Sequence, residues 1–240
     1  MSRTINVALV VGLGVALAAT GVASPAFASD PTPSAEGRTV ASAKAAVERR
    51  IDLRLAALRR MDQRIERCRH LTDPHQATLA GFVDNATAGL TALRATVAAE
   101  TTIKALRADA QSMVNDYRVF ILRAPQVHGT CTADNETAAV ARLREVADKL
   151  SAGVAAAKQG GTDTAAAEAD LAAMDRELDA AEAALAGQVD RLLAIAPGPD
   201  GDAIKEQVKS VRQKLRAAWQ ALRRAVAEAK QVREFLKDLA

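Results

Sequence analysis

The fold class is decided by one stretch near the C-terminus, residues 202–239, which reads DAIKEQVKSVRQKLRAAWQALRRAVAEAKQVREFLKDL. Its apolar residues recur at alternating spacings of four and three, from Ile204, Val208 and Val211 onward to Leu239. This heptad period gathers them on one stripe of an α-helix. Because such a stripe is typical of a helix that packs lengthwise against another helix, we expect a helical protein.

The composition agrees with a helical protein and argues against other classes. Of the 240 residues, 49% are hydrophobic, which is too many for a disordered chain. Only 2% are aromatic, which is few for a β-sheet protein. The 2 cysteines are too few for a disulfide-dense scaffold.

The same heptad period recurs upstream, in segments separated by residues that start or stop helices. An aspartate cap precedes Pro74, and Pro125 is expected to end a helix. The last three predicted helices are separated by Gly160-Gly161 and by Pro197–Gly201. Short connections of this kind join antiparallel neighbours. The pattern therefore predicts an all-α fold, an elongated antiparallel helical bundle or coiled coil of about six helices, at about residues 38–71, 74–99, 102–124, 133–158, 163–195 and 202–239.

One of these boundaries stays open at the sequence level. Neither glycine nor proline separates the second predicted helix from the third, and Thr101-Thr102 supplies the only cap candidate between them. The two segments are therefore either separate helices or one continuous bent helix.

The N-terminus has the features of a secretory signal peptide. Arg3 is followed by the uncharged apolar run Ile5–Val22, and Ala26-Phe27-Ala28 places small residues on either side of Phe27. We expect cleavage after Ala28, with a retained membrane anchor as the alternative. Residues 1–28 would then be a signal peptide and residues 29–37 a disordered leader, and no transmembrane span would remain after cleavage. The pattern therefore predicts a secreted protein, with the cell wall as a candidate place of attachment.

The two cysteines are predicted to form a disulfide. An up-down-up course of the first three helices brings Cys68 and Cys131 to the same end of the bundle, in the oxidising compartment that a signal peptide implies. This bond would close residues 38–131 as a three-helix unit. Residues 132–240 would then form a second helical unit that ends in a long antiparallel coiled-coil hairpin.

The histidines suggest an alternative use of the same end of the bundle. All three, His70, His75 and His128, lie close in sequence to a cysteine. Imidazole and thiolate are ligands for zinc and copper, although the spacing matches no recognised metal motif. An extracellular metal-binding protein is therefore the alternative hypothesis for function, while solvated loop histidines are the simpler interpretation.

Charge is segregated along the chain, and its overall excess is small, at +3. The first predicted helix has ten basic against four acidic residues, the fifth has two against eight, and the sixth has ten against five. Either helices five and six pair with each other and the charges select the partner, or the first helix contacts an external polyanion such as a wall polymer or acidic lipid headgroups. The candidate polyanion-binding residues are Arg49, Arg50, Arg59, Arg60, Arg64 and Arg67.

Motifs for catalysis and for nucleic-acid binding are not found in the sequence. It contains no glycine-rich phosphate loop, no G-x-S-x-G turn and no H-E-x-x-H motif. The basic stretch lacks the interleaved aromatic residues that stack on bases, so nucleic acid is not an expected partner. We expect a protein that is not an enzyme and carries no cofactor.

Residues 47–134 resemble a known group of proteins. The strings that carry the resemblance are Leu71-Thr72, residues 89–93 (GLTAL), residues 100–102 (ETT), residues 116–120 (DYRVF) and residues 125–127 (PQV). They are similar to strings in uncharacterised secreted all-helical proteins of high-GC Gram-positive bacteria. The resemblance implies an extracellular location and no particular activity. The leading hypothesis is therefore a non-enzymatic structural or interaction protein of the cell envelope, whose partner is an anionic wall polymer or another envelope protein.

Overall fold

The computed structural model describes residues 39–239, and within that range every regular element is helical. Seven α-helices and one π-helical turn follow one another along these residues. They are α1 (Val40–Glu66), α2 (Asp73–Ala99), α3 (Ile103–Asn115), the π turn (Val119–Arg123), α4 (Ala124–Gln159), α5 (Ala165–Leu185), α6 (Gln188–Leu193) and α7 (Gly201–Asp238). The all-α class is confirmed, and the predicted signal peptide and leader lie outside the described residues.

Several helices begin at residues whose side chains satisfy free backbone N–H groups. Thr39 accepts a hydrogen bond from the Ser42 amide before α1, and Thr102 accepts one from the Ala105 amide before α3. The Thr102 cap makes α2 and α3 separate helices. At α2 the capping position belongs to Thr72 and not to the predicted Asp73, which is already helical and precedes Pro74.

The helix boundaries depart from prediction at two places, so the count of six is not confirmed. Pro125 does not end a helix; it lies in the first turn of α4, where its missing N–H has no partner to lose. The predicted helix 163–195 is interrupted after Leu185, because Gly187 adopts a left-handed conformation with φ of 67°.

The π turn is held in place by an unusual arginine. Arg118 is the one non-glycine residue with positive φ among the described residues, at 42°. Its Nε donates to the Gly198 carbonyl at 2.7 Å, and Nη2 donates to the Pro199 carbonyl at 2.5 Å and to Asn115 Oδ1 at 3.1 Å. These bonds fasten the loop before α7 to the turn before α4.

The buried apolar side chains form three clusters, and α4 contributes to all of them. Val127 joins the cluster of α1, α2 and α3; Ala133 joins that of α6 and the start of α7; Val140 and later residues join that of α5 and the rest of α7. The predicted boundary between residues 131 and 132 therefore falls inside a continuous helix. None of the helices between residues 39 and 239 is both long and apolar enough to cross a membrane.

Candidate functional site

The helix α1 has one face buried in the core and the remainder exposed. Val47, Ile51 and Leu58 are among its five buried residues. A residue advances about 100° around an α-helix, so Arg49, Arg60, Arg64 and Arg67 fall within a sector of about 60°, roughly opposite the buried residues. All four arginines are exposed. We call this set of four the basic stripe.

The acidic residues of α1 occupy a different sector. Glu48, Asp52, Asp62 and Glu66 lie on the flank between the buried face and the basic stripe, by the same helical geometry. Asp52 pairs with Arg94 of α2 at 3.2 Å. The charges of α1 are thus separated around the helix, and the basic stripe is not neutralised by acids of its own helix.

Two of the six predicted polyanion-binding arginines lie off the basic stripe. Arg59 falls in the acidic sector, and Arg50 is half-buried and accepts a hydrogen bond on its carbonyl from Arg54 at 3.0 Å. The guanidinium of Arg54 lies over the ring of Phe120, 5.3 Å from its centroid. The sequence prediction therefore identified the stripe and included two neighbours that point elsewhere.

The acidic residues of α5 have partners on α4 and α7. Asp175, Asp179 and Glu182 surround Arg144 of α4, with N–O distances of 3.4 Å to Asp175 and 3.3 Å to Glu182. Sequence reasoning missed Arg144, because nothing in the charge pattern of its own segment distinguishes it from other surface arginines.

Two further ion pairs involve acidic residues of α5. Glu168 pairs with Lys158 at 2.7 Å, and Glu177 pairs with Arg224 of α7 at 2.8 Å. Between residues 39 and 239, by contrast, no ion pair involves an arginine of the basic stripe. Five of the six acidic residues of α5 therefore form ion pairs with α4 or α7, and none of these partners belongs to α1.

The predicted disulfide between Cys68 and Cys131 is wrong, since both cysteines are free thiols. The chain does bring them together. Burial raises the pKa of Cys131 to about 12, and a hydrogen bond with Cys68 adds to the rise. A thiol held protonated in this way is a poor nucleophile, because thiolate is the reactive form. The pair does not supply the predicted covalent link.

The three histidines have separate surroundings. His75 Nδ1 lies 2.8 Å from Asp134 Oδ2, which also accepts a hydrogen bond from the Thr72 amide at 3.1 Å. These bonds fix the turn between α1 and α2 to α4. His70 Nε2 instead lies 3.3 Å from Arg142 Nη2.

The third histidine, His128, lies near two positive charges. Burial lowers the pKa of His128, and the nearby charges of Arg64 and Arg212 lower it further. His128 belongs to α4, as do Asp134 beside His75 and Arg142 beside His70. The span from residue 128 to residue 142 is about 21 Å of helix. Within residues 39–239 no group of three or more histidine, cysteine or acidic residues is arranged to hold a metal ion. The metal-binding alternative gains no support from this arrangement.

No protein-family model matches this chain, and neither a curated protein nor a solved structure does. The chemistry of the basic stripe is nevertheless well defined. It presents four guanidinium groups, each with five N–H donors in a planar fork that fits phosphate and carboxylate oxygens. The hydrogen-bonding geometry of such a surface is suited to multivalent anions.

Proposed function

We propose that this chain is a secreted, non-enzymatic interaction protein of the cell envelope, and that the basic stripe of α1 binds an anionic envelope component. The observation that carries the proposal is that acids of α5 form ion pairs, whereas the arginines of the stripe form none within residues 39–239. Five acids of α5 pair with Arg144, Lys158 and Arg224, and none pairs with the stripe, so the stripe is left available for an external anion.

The partner suggested by the sequence is an anionic wall polymer. Four guanidinium groups along about five turns of helix match a partner with repeated negative charges better than a single small anion. Polyanion contacts of this kind are weakened by salt, since released counterions and screening reduce the electrostatic gain. Another envelope protein with an acidic surface is the alternative partner.

The proposed architecture is an antiparallel bundle that holds the stripe on its outer side. The ion pairs between α4 and α5 support it, because Lys158 near the end of α4 pairs with Glu168 near the start of α5, while Arg144 pairs with Asp179 further along. The proposed export rests on the N-terminal pattern and on the resemblance of residues 47–134 to secreted proteins.

Retention on isolated cell walls tests the proposed function. A variant in which Arg49, Arg60, Arg64 and Arg67 are all replaced by Gln should elute at much lower salt than the wild type. The matched control replaces four exposed basic residues of α7, namely Arg212, Lys214, Arg216 and Lys230, and changes the net charge equally. The control should retain most binding. Equal retention of the stripe variant and the wild type would exclude the stripe as the binding surface.

A further inference from the structure

The most exposed large hydrophobic residue of the described part of the chain lies within the sector of the basic stripe. Leu53 is 63% exposed, compared with 47% for Leu239 and 38% for Phe120. By helical geometry it lies one turn after Arg49 and two turns before Arg60. Isolated exposed leucines are common on protein surfaces, but this one is flanked along the helix by Arg49 and Arg60, which form no ion pair within residues 39–239.

The neighbours of Leu53 leave its side chain prominent. The residues three and four positions further along α1 are Ala56 and Ala57, whose side chains are short. On the preceding turn the neighbours are Arg49 and Arg50, whose longer side chains end in cationic groups. The surface at this point therefore combines a protruding apolar group with positive charge.

A second exposed apolar residue borders the same part of α1. Phe120 belongs to the π turn, which follows the left-handed Arg118. Its ring is covered on one face by the guanidinium of Arg54, which directly follows Leu53 in the chain. Because Arg54 lies about 100° around α1 from Leu53, toward the buried face, Phe120 does not share the sector of the basic stripe.

We propose that this face docks on the surface of a lipid bilayer that contains anionic headgroups. The guanidinium groups of the stripe bind the headgroup phosphates, and Leu53 enters the apolar region just beneath them. This inference rests on the proposed function and names the class of anion. A hydrated wall polymer satisfies the arginines but offers nothing to Leu53, whereas a bilayer surface offers both charge and an apolar phase.

Vesicle binding tests the inference. Vesicles of phosphatidylglycerol and phosphatidylcholine in equal amounts are compared with pure phosphatidylcholine vesicles and with a polyphosphate matrix, using the chain as the producing cells make it. We expect binding to the anionic vesicles and retention on the polyphosphate matrix, and no binding to pure phosphatidylcholine vesicles. Arg60→Gln should lower the partition coefficient about fivefold, because each basic residue near an anionic surface contributes about that factor. The neighbouring Arg59→Gln, in the acidic sector, should have a much smaller effect.

Leucine variants separate lipid binding from polymer binding. Leu53→Gln should reduce vesicle binding by about tenfold, as expected for losing one inserted leucine, and leave retention on polyphosphate unchanged. Leu239→Gln, the control for loss of an exposed leucine, should change neither. Circular dichroism of each variant checks that the fold is retained.

The outcomes distinguish this inference from the proposed function. If the wild type binds isolated walls and polyphosphate but not anionic vesicles, lipid docking is overturned and the proposed function stands. If Leu53→Gln binds vesicles as well as the wild type, insertion of Leu53 is overturned. If the wild type binds neither walls nor vesicles nor polyphosphate, both proposals fail.

Discussion

Glu136 of α4 is a buried carboxyl group. The residue is 7% exposed, and its Oε2 has no hydrogen-bond partner among the described residues. Ala133 and Val140, about one turn away on either side, belong to two different core clusters. Burial raises the pKa of Glu136 to about 8, since the charged form loses its hydration. The folded protein therefore holds this carboxyl in its neutral form at pH 7.

The contribution of Glu136 to the stability of the protein should fall as the pH rises from about 5 to 8. In that range an unfolded chain has lost the Glu136 proton while the folded protein still binds it, so each rise in pH favours unfolding. Glu136→Gln cannot ionise and removes this loss. We expect the variant to gain about 3 kcal/mol over the wild type between pH 5 and pH 8.

Urea unfolding at several pH values measures this gain. Glu145→Gln, at an exposed position of the same helix, serves as the control. A free-energy difference between Glu136→Gln and wild type that stays constant from pH 5 to pH 8 would contradict the assignment of a raised pKa to Glu136.

At the scale of a helix, the two glycines of α2 differ in the space around them. A Cβ on Gly81 would meet nothing within 4 Å, so only helix propensity acts there. A Cβ on Gly89 would lie 2.5 Å from Cε1 of Tyr117, which is too close for two carbon atoms. Tyr117 packs against α2 at this point because Gly89 has no side chain.

Alanine substitutions should therefore shift stability in opposite directions. Gly81→Ala should stabilise the protein by up to about 1 kcal/mol, since alanine favours the helix. Gly89→Ala should destabilise it by about 1–3 kcal/mol through overpacking, and Tyr117→Leu should relieve part of that loss in the double variant. Thermal unfolding measures the three variants. Equal shifts for the two glycines would show that the ring of Tyr117 moves aside freely.

At the scale of the whole molecule, α4 joins clusters that the sequence assigned to two units. Its residues reach the cores formed with α1 to α3, with α6, and with α5 and α7. A helix that is shared in this way transmits the loss of one cluster to the others. We therefore expect residues 39–239 to unfold as one cooperative unit.

Thiol labelling measures that cooperativity. Leu178 of α5 is completely buried, and Leu178→Ala should cost about 3 kcal/mol. Cys131 is also completely buried, and lies in a different part of the bundle beside Cys68. If unfolding is shared, Leu178→Ala should accelerate alkylation of Cys131 by about 100-fold. Mass spectrometry of the peptide that contains Cys131 measures the rate. An unchanged rate would favour two units that unfold independently.

The sequence alone determined the features that depend on near neighbours along the chain. The heptad stripe of α7 predicted the burial of Ile204, Val208 and Val211, because helical periodicity is a local property. The cap at Thr102 and the concentration of arginine on α1 were visible for the same reason. Leu239, at the end of the stripe, is exposed because the helix stops and no neighbour covers it.

Only the tertiary structure decided which distant groups meet. Pro125 lies in the first turn of α4, and Cys68 and Cys131 are not joined by a disulfide. Arg144 pairs with three acids of α5, and no ion pair within residues 39–239 involves the basic stripe of α1. The physical reason is that burial and Coulomb interactions depend on distances in space. Those distances are set by how the helices pack, and the period of a single helix does not contain them.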